Sequence, residues 1–278
     1  VDPIAAGMAA GRPATNEFGL VDRVRRWFTT RDTSRPYFLY VNIADPHLPY
    51  RISQDNPFLP PEIPLKDIPR ALGKTPPRHA ICEALPPRDA VDLLASLYLG
   101  EVLAADKKVG ALQELLSGSS AKQSDPISVV TSDHGSHLGE QRLLGHSFAV
   151  DNRALHVPLI VTGTQAAIDA PGSVIEQMLG QRHLADSVRC WAGLSESCER
   201  ALPIDDANPR NEPIISVVGN EPTVHPSTSV IDSGFTDQRN HYANAYCDPQ
   251  TGFQGRAVAY HQPPLKYIWQ IGRASCRE

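Results

Sequence analysis

Apolar runs suited to strands alternate with a long helical pattern in this chain, and together they predict an α/β fold. Aromatic, β-branched and other apolar residues fill "PYFLYVNI" (Pro36–Ile43), "ISVVT" (Ile127–Thr131) and "HVPLIVTG" (His156–Gly163), as expected for buried strands. Arg88–Gly118 lies between the first two runs and has helical periodicity. Strand, crossover helix and strand in series predict a mostly parallel sheet flanked by helices.

The long helix is predicted to bury one apolar face. Apolar residues recur at intervals of three and four, interrupted by Asp106, and the pattern closes on Gly118. The residues that define this face are Leu99, Val102, Leu103, Val109, Leu112 and Leu116. A further helix is predicted for Arg182–Leu194.

Proline marks a long irregular segment, from Pro46 to Pro87. Because proline lacks a backbone donor and fixes φ, neither a regular helix nor a central strand is expected there. From about Pro213 the pattern changes to strands alone, in "NEPIISVVGNE" and in "GRAVAYHQPPLKYIWQ" with a turn at Pro263-Pro264. These strands predict a small C-terminal antiparallel subdomain.

The expected domain division therefore has three parts. Residues 1–212 form the domain of alternating strands and helices, residues 213–270 the antiparallel subdomain, and residues 271–278 a non-native tail. The last eight residues, "IGRASCRE", resemble the translation of a sequencing adapter.

Composition excludes several classes of function. The 278 residues are 41% hydrophobic and 21% charged, as in ordinary globular proteins. A net charge of -5 and the lack of a Lys/Arg stripe argue against nucleic-acid binding. No apolar run approaches the roughly 20 residues that span a bilayer, so no membrane partner is expected. Cysteine spacing allows a Cys190–Cys198 bridge, but unpaired cysteines are favoured.

Candidate chemistry follows two of the predicted strands. Asp45-Pro46-His47 comes after the first, and Asp133-His134 after the second. Ligand sites of open parallel sheets lie beyond the carboxyl ends of strands, so the two clusters are expected to meet. A carboxylate and an imidazole can share one divalent ion, and Gly135 would ease the turn between them. The alternative is a capping Asp133 beside an exposed His134.

The longer sequence context resembles the sulfatase family of the alkaline phosphatase-like superfamily. The matching segments are "TSDHG" with "LGE", His146 and "VPLI"; "RPYFLYVNIADPHLPY"; "YLGEVLAADKKVG"; and "GRAVAYHQPPLKYIW". They occur in the family's order and span roughly Asn16 to Gln270.

The resemblance implies roles for four residues. Asp133 and His134 would be ligands of a divalent cation, usually Ca²⁺, or Mn²⁺ or Zn²⁺ in phosphate-cleaving relatives. His47 would protonate the departing alcohol, and His146 would neutralise a sulfate oxygen where many members use lysine. Asp45 and Glu140 are expected to support the site or its turns. The substrate would be a small-molecule or glycan sulfate ester.

Two parts of the family's active site are not found in the sequence. The pentapeptide C/S-x-P-x-R, whose Cys or Ser becomes the formylglycine nucleophile, does not occur, and the adjacent aspartates Asp205-Asp206 lie late in the chain rather than early. The resemblance therefore implies that the chain is the C-terminal portion of a sulfatase, and that residues 1–212 are a catalytic domain that lacks its N-terminal part. The chain should bind a cation weakly and be inactive alone, because two ligands leave most of a hard cation's coordination to water.

Other functions remain open. A phosphodiesterase, phosphonate monoester hydrolase or phosphoglycerol transferase of the same superfamily would share these residues. A catalytically dead binder of sulfated glycans is a third possibility. Analogy with the family implies a periplasmic or secreted protein, and nothing in the sequence assigns an oligomeric state.

Overall fold

The structure, a computed structural model, describes most of the predicted elements. It covers residues 19–72, 87–117, 126–140, 144–146, 150–163, 172, 174, 178–198 and 201–202, and the strand backbone of 214–219, 247–248, 252–253, 256–262, 265–270 and 273–276. The chain divides into two compact units. The first comprises Val1–Ala121, His137–Gly145 and Pro226–Gly252, and the second Lys122–Ser136, His146–His225 and Phe253–Glu278.

Five described helices and ten strands make up the regular structure. The helices are α1 (Gly19–Thr30), α2 (Ile68–Leu72, after a 3₁₀ turn at Leu65–Asp67), α3 (Arg88–Ser117), α4 (Asn152–Leu155) and α5 (Arg182–Trp191). The strands are β1 (Ser128–Thr131), β2 (His137–Leu138), β3 (Leu144–Gly145), β4 (Leu159–Thr162), β5 (Ile214–Gly219), β6 (Cys247–Asp248), β7 (Gly252–Phe253), β8 (Arg256–Gln262), β9 (Leu265–Gln270) and β10 (Arg273–Cys276).

Helix α3 has the predicted length but buries a different face. Leu99 and Val102 of the predicted face are 43% and 38% exposed. The buried residues instead recur as Ala90, Leu93, Leu94, Leu97, Glu101, Ala104, Lys108 and Leu112. This stripe also has helical spacing, and it includes two charged residues that the sequence pattern assigns to solvent. The prediction was therefore wrong for Leu99 and Val102, whereas Leu112 is buried as predicted.

Two apolar clusters pack on the faces of α3 in the first unit. The larger joins residues of α2, α3, β3 and the chain before α2: Tyr50, Ile68, Leu72, Leu93, Leu94, Leu97 and Leu144. The smaller joins Val21 and Val24 of α1 to Leu112 of α3. These contacts fix α1 and α2 on the long helix.

The predicted strand Pro36–Ile43 is not a strand in the structure. Leu39, Val41 and Ile43 pack against the smaller cluster, whereas Phe38 and Tyr40 are 73% and 78% exposed. The segment thus has the alternation of an extended chain, with one face on α1 and α3. It has no ladder partner among the described residues, so the prediction of a buried strand was wrong.

In the second unit, β1 and β4 form a two-stranded antiparallel sheet. Val129 pairs with Val161, and Thr131 with Leu159. The prediction of a mostly parallel sheet is therefore wrong for these strands. A parallel connection normally returns through a crossover helix, whereas the described chain between β1 and β4 contains only the four-residue helix α4.

The C-terminal strands pair antiparallel, as predicted. The sheet order is β10-β9-β8-β5, and β8 pairs with β9 so that Gln262 lies opposite Leu265. The predicted turn at Pro263-Pro264 lies outside the described residues. Strand β10 contains Arg273–Cys276, within the predicted non-native tail, and pairs with β9 as an edge strand. The domain boundaries at 212 and 270, and the origin of the tail, stay predictions.

A disulfide joins Cys190, near the end of α5, to Cys198. The expectation of unpaired cysteines was therefore wrong for this pair, because the turn after α5 brings the two Cα atoms to 5.5 Å. Within the described residues, no helix is long and apolar enough to cross a membrane. The mixture of helices and small sheets agrees with the predicted α/β class.

Candidate active site

His47 lies on a seven-residue segment, Asp45–Arg51, which we call the His47 loop. Its ring Nδ1 is 2.6 Å from the carbonyl oxygen of Leu48. A carbonyl only accepts, so Nδ1 carries the proton in this contact, and Nε2 is the unprotonated nitrogen of the neutral ring. The contact therefore fixes both the tautomer and the orientation of the imidazole.

Four charged side chains hold the His47 loop against α3. Lys108 Nζ donates to Asp45 Oδ1, and Arg51 Nη2 lies 3.2 Å from the same oxygen. Arg51 Nε lies 3.1 and 3.2 Å from the two carboxylate oxygens of Glu101, which also accepts from the Arg51 backbone N–H at 2.5 Å. We call Asp45, Arg51, Glu101 and Lys108 the charge network. The expected supporting role of Asp45 agrees with these contacts.

Tyr50 anchors the end of the His47 loop in the larger apolar cluster. Its ring packs edge-on against the ring of Tyr98, with the two ring centroids 5.7 Å apart. Burial raises the pKa of Tyr50 well above its ordinary value, and nearby Tyr98 and Glu101 raise it further. Burial also raises the pKa of Tyr98. Both phenols are therefore neutral over the physiological range.

Asp133 and His134 follow β1 in the second unit. Asp133 Oδ2 lies 3.6 Å from His134 Nε2, and Asp133 Oδ1 accepts from the His134 backbone N–H at 3.0 Å. His134 Nδ1 lies 2.9 Å from the Gly135 carbonyl oxygen, so it carries a proton. A carbonyl on one ring nitrogen with the other directed to an ion is the usual arrangement of metal-binding histidines.

Gly135 lies so close to the backbone at Arg153 that a side chain would not fit there, a reason for glycine that differs from the predicted turn. Its backbone N–H donates to the Ala154 carbonyl oxygen at 2.8 Å. A Cβ at this position would lie only 1.9 Å from the Arg153 carbonyl oxygen. The glycine therefore allows the chain after β1 to approach the backbone of α4.

Gln181, which belongs to none of the sequence motifs, contacts the same strand end. Its side-chain Nε2 donates to the carbonyl oxygens of Ser132 and Asp133 at 2.6 and 3.0 Å. Gln181 immediately precedes α5, so this helix positions the amide against the backbone beside Asp133. A glutamine about fifty residues downstream has no pattern that links it to β1 in sequence.

His146 packs on His134 in the second unit. The two imidazole rings stack with centroids 4.0 Å apart and an interplanar angle of 28°. Glu140 serves a turn, because its Oε2 accepts from the Leu138 backbone N–H at 2.7 Å. The structure therefore brings together Asp133, His134 and His146, while His47 belongs to the first unit.

Asp133 Oδ2 and His134 Nε2 are suitably placed to be ligands of one divalent cation. An oxygen and a nitrogen 3.6 Å apart can both contact one ion at the usual distances of about 2.0–2.6 Å. Asp133 is largely exposed, so an ion could complete its coordination with water. Within the part of the chain that the structure describes, no group of three or more His, Cys, Asp or Glu residues could hold a metal. The two residues could thus supply only part of a coordination shell.

Comparison with solved structures relates the chain to phosphonate monoester hydrolases. The enzyme of Agrobacterium radiobacter aligns with a TM-score of 0.60 at 15% identity, over 93% of this chain and 53% of that one. The enzyme of Silicibacter pomeroyi aligns with a TM-score of 0.49 at 19% identity, over 69% of this chain and 36% of that one. Neither family models nor curated proteins gave a match.

The chain thus spans about half the length of the Agrobacterium enzyme. At this level of identity the alignment shows the fold alone. The chain therefore shares an α/β fold with the aligned half of the Agrobacterium radiobacter enzyme.

Proposed function

We propose that this chain is part of a hydrolase that cleaves a sulfate ester with the help of a divalent cation. The observation that carries the proposal is the arrangement of Asp133 Oδ2 and His134 Nε2, 3.6 Å apart, with the His146 ring stacked on His134. Two metal donors beside a further imidazole suit a doubly or singly charged oxyanion. The sulfatase motifs of the sequence support sulfate as the substrate.

Each residue would act on charge that develops in the transition state. Cleavage of a sulfate ester breaks the bond between sulfur and the alcohol oxygen, and negative charge grows on that oxygen and on the sulfuryl group. A bound cation would stabilise this charge electrostatically. His146, when protonated, would donate to a sulfuryl oxygen.

His47 would supply the proton that the departing alcohol needs. With Nδ1–H held by the Leu48 carbonyl, the proton to be transferred must reside on Nε2, so the ring acts in its charged form. Transfer returns the ring to the neutral tautomer that this hydrogen bond already favours. The nucleophile, a formylglycine by the sulfatase resemblance, is expected outside these 278 residues.

Phosphonate monoester hydrolysis is the second candidate. It is supported by the alignment with the Agrobacterium radiobacter enzyme. A tetrahedral phosphonate monoester carries a single negative charge like a sulfate monoester, so the same cation and imidazoles could bind it. Calcium would favour the sulfatase, whereas Mn²⁺ or Zn²⁺ would favour phosphate-type chemistry.

The proposed compartment is the periplasm or the exterior. The Cys190–Cys198 disulfide supports it, because such bonds persist mainly in oxidising compartments.

Ion binding provides a direct test on the chain itself. Titration with Ca²⁺, Mn²⁺ and Zn²⁺ by calorimetry should show weak binding of one ion, lost in His134→Ala. His156→Ala, which removes an exposed histidine of the same unit, is the matched control and should bind as the wild type does. Equal binding by His134→Ala and the wild type would contradict the proposal.

Turnover decides between the two substrates. The full-length enzyme that carries this segment should hydrolyse a nitrophenyl sulfate, and the 278-residue chain alone should not. Faster cleavage of a nitrophenyl phosphonate monoester would establish the second candidate. Cleavage of neither ester would overturn both, and activity in the chain alone would refute the expected location of the nucleophile.

A further inference from the structure

We infer that the charge network is a positioning device for His47, with Glu101 and Lys108 as the residues that hold the His47 loop in its working conformation. The inference extends the proposed function, because it assigns two helix residues to the imidazole that would protonate the leaving group. Neither residue needs to contact the substrate.

The two ends of the His47 loop are tied to one helix. Asp45, at its start, pairs with Lys108, and Arg51, at its end, pairs with Glu101 through both a side-chain and a backbone donor. Arg51 also contacts Asp45, so the two ends are tied to each other. The five residues between them, including His47, are therefore held at both ends.

Helix α3 supplies both anchors from a single face. Glu101 and Lys108 are seven residues apart, two helical turns, and both are buried between apolar residues of the same stripe. A rigid helix of 30 residues keeps the anchors at a constant separation. The distance between the loop ends is thereby set by the helix rather than by the loop.

A purely stabilising role would not require charges at these positions. Apolar residues would continue the buried stripe, and well-packed apolar replacements of a buried ion pair are often neutral or stabilising. The network contains two acids and two bases, and each side chain has an oppositely charged partner. Directional hydrogen bonds of this kind fix geometry, which matters for a proton donor.

Nuclear magnetic resonance of the histidine rings in the 278-residue chain tests the inference. Long-range ¹H–¹⁵N spectra distinguish the Nδ1–H from the Nε2–H tautomer. In the wild type, His47 should be in the Nδ1–H form. In Lys108→Met and in Glu101→Gln the loop should relax, and the Nε2–H form should appear for His47, while the His134 and His146 signals keep their positions.

Asp92→Asn is the matched control. It removes a charge from an exposed pair on the same helix, Arg88–Asp92 at 3.8 Å, and should leave the His47 spectrum unchanged. Lys108→Met leaves Asp45 with one partner fewer and is expected to lower the melting temperature by about 5–15 °C. If that variant does not fold, Glu101→Gln, which retains the shape and the acceptor oxygen, gives the answer.

Unchanged His47 tautomers in Glu101→Gln and Lys108→Met would overturn the inference. Activity separates this result from the proposed function. If His47→Ala leaves the turnover of the full-length enzyme unchanged while the ring spectra respond to the charge network, the role of His47 as proton donor fails and the positioning inference stands. If His47→Ala abolishes turnover and the His47 spectra do not respond to the charge network, the role of His47 as proton donor stands and the positioning inference fails.

Discussion

Gln181 supports the backbone at Asp133, although its own side chain has no role in the proposed reaction. Its amide bridges two consecutive carbonyl oxygens at the end of β1, next to the side chain of Asp133. The side chain of Asp133 is largely exposed, and these two hydrogen bonds help to restrain the backbone that presents it. Outer contacts of this kind tune the affinity of a metal site.

Gln181→Ala should therefore weaken ion binding without unfolding the chain. We expect the affinity for the divalent ion to fall about tenfold or more, as for other losses of outer contacts. Calorimetric titration with the metal ion alone measures the effect. Gln54→Ala, an exposed glutamine of the first unit, is the control and should bind normally. Wild-type affinity in Gln181→Ala would show that Asp133 is held by other means.

Two glycines with different surroundings predict opposite results for the same substitution. At Gly135 a methyl group would meet the Arg153 carbonyl oxygen, so Gly135→Ala should lower the free energy of unfolding by about 1–3 kcal/mol. At Gly110, inside α3, an added Cβ would meet nothing within 4 Å beyond the neighbouring backbone of the helix itself, so Gly110→Ala should raise it by about 0.5–1 kcal/mol. Urea denaturation measures both, and equal effects would contradict the argument.

Helix α3 illustrates which part of an element a sequence determines. Its bounds were predicted because helical spacing and the closing glycine are local signals. Its buried face was not, because two stripes on the helix have apolar residues at helical spacing. Only the partners Asp45 and Arg51, about fifty to sixty residues earlier, make burial of Glu101 and Lys108 acceptable.

The buried tyrosine beside this helix predicts sensitivity to alkaline pH. The pKa of Tyr50 is raised in the folded chain, so its neutral form stabilises the fold below the unfolded pKa of about 10, and that contribution is lost as the pH rises further. Tyr50→Phe should therefore lose less stability than the wild type between pH 9 and about pH 11. Thermal unfolding across this range measures the difference.

Tyr40→Phe is the control for that experiment. Tyr40 is 78% exposed, and the variant should follow the wild-type pH profile. An identical alkaline decline in wild type and Tyr50→Phe would mean that Tyr50 ionises without unfolding the cluster.

The disulfide contributes to the whole molecule by restricting the unfolded chain. Cys190 and Cys198 close a loop with a separation of eight residues, and loop-closure entropy gives a stabilisation of about 2–3 kcal/mol. A thiol reductant should lower the melting temperature of the wild type. The double variant Cys190→Ser with Cys198→Ser should start at the lower value and not respond to the reductant. A response in the double variant would attribute the effect to other cysteines.

Sequence alone determined what depends on neighbours along the chain. The bounds of α3 and α5, the antiparallel C-terminal hairpin and the motifs around Asp133 and His47 were all readable, because each is encoded by local spacing, turn residues or short motifs. The ring stacking of His134 and His146 followed no such pattern, but both residues were candidates because of the resemblance.

Tertiary structure decided everything that depends on residues distant in sequence. It set the antiparallel pairing of β1 with β4, the exposed face of Pro36–Ile43, the burial of Glu101 and Lys108, and the contact of Gln181 with β1. The physical reason is common to all of them. Strand direction, burial of a charge and support of a loop each depend on which distant segment of the chain provides the contacting residues. The spacing of apolar residues along the chain does not indicate which segment that is.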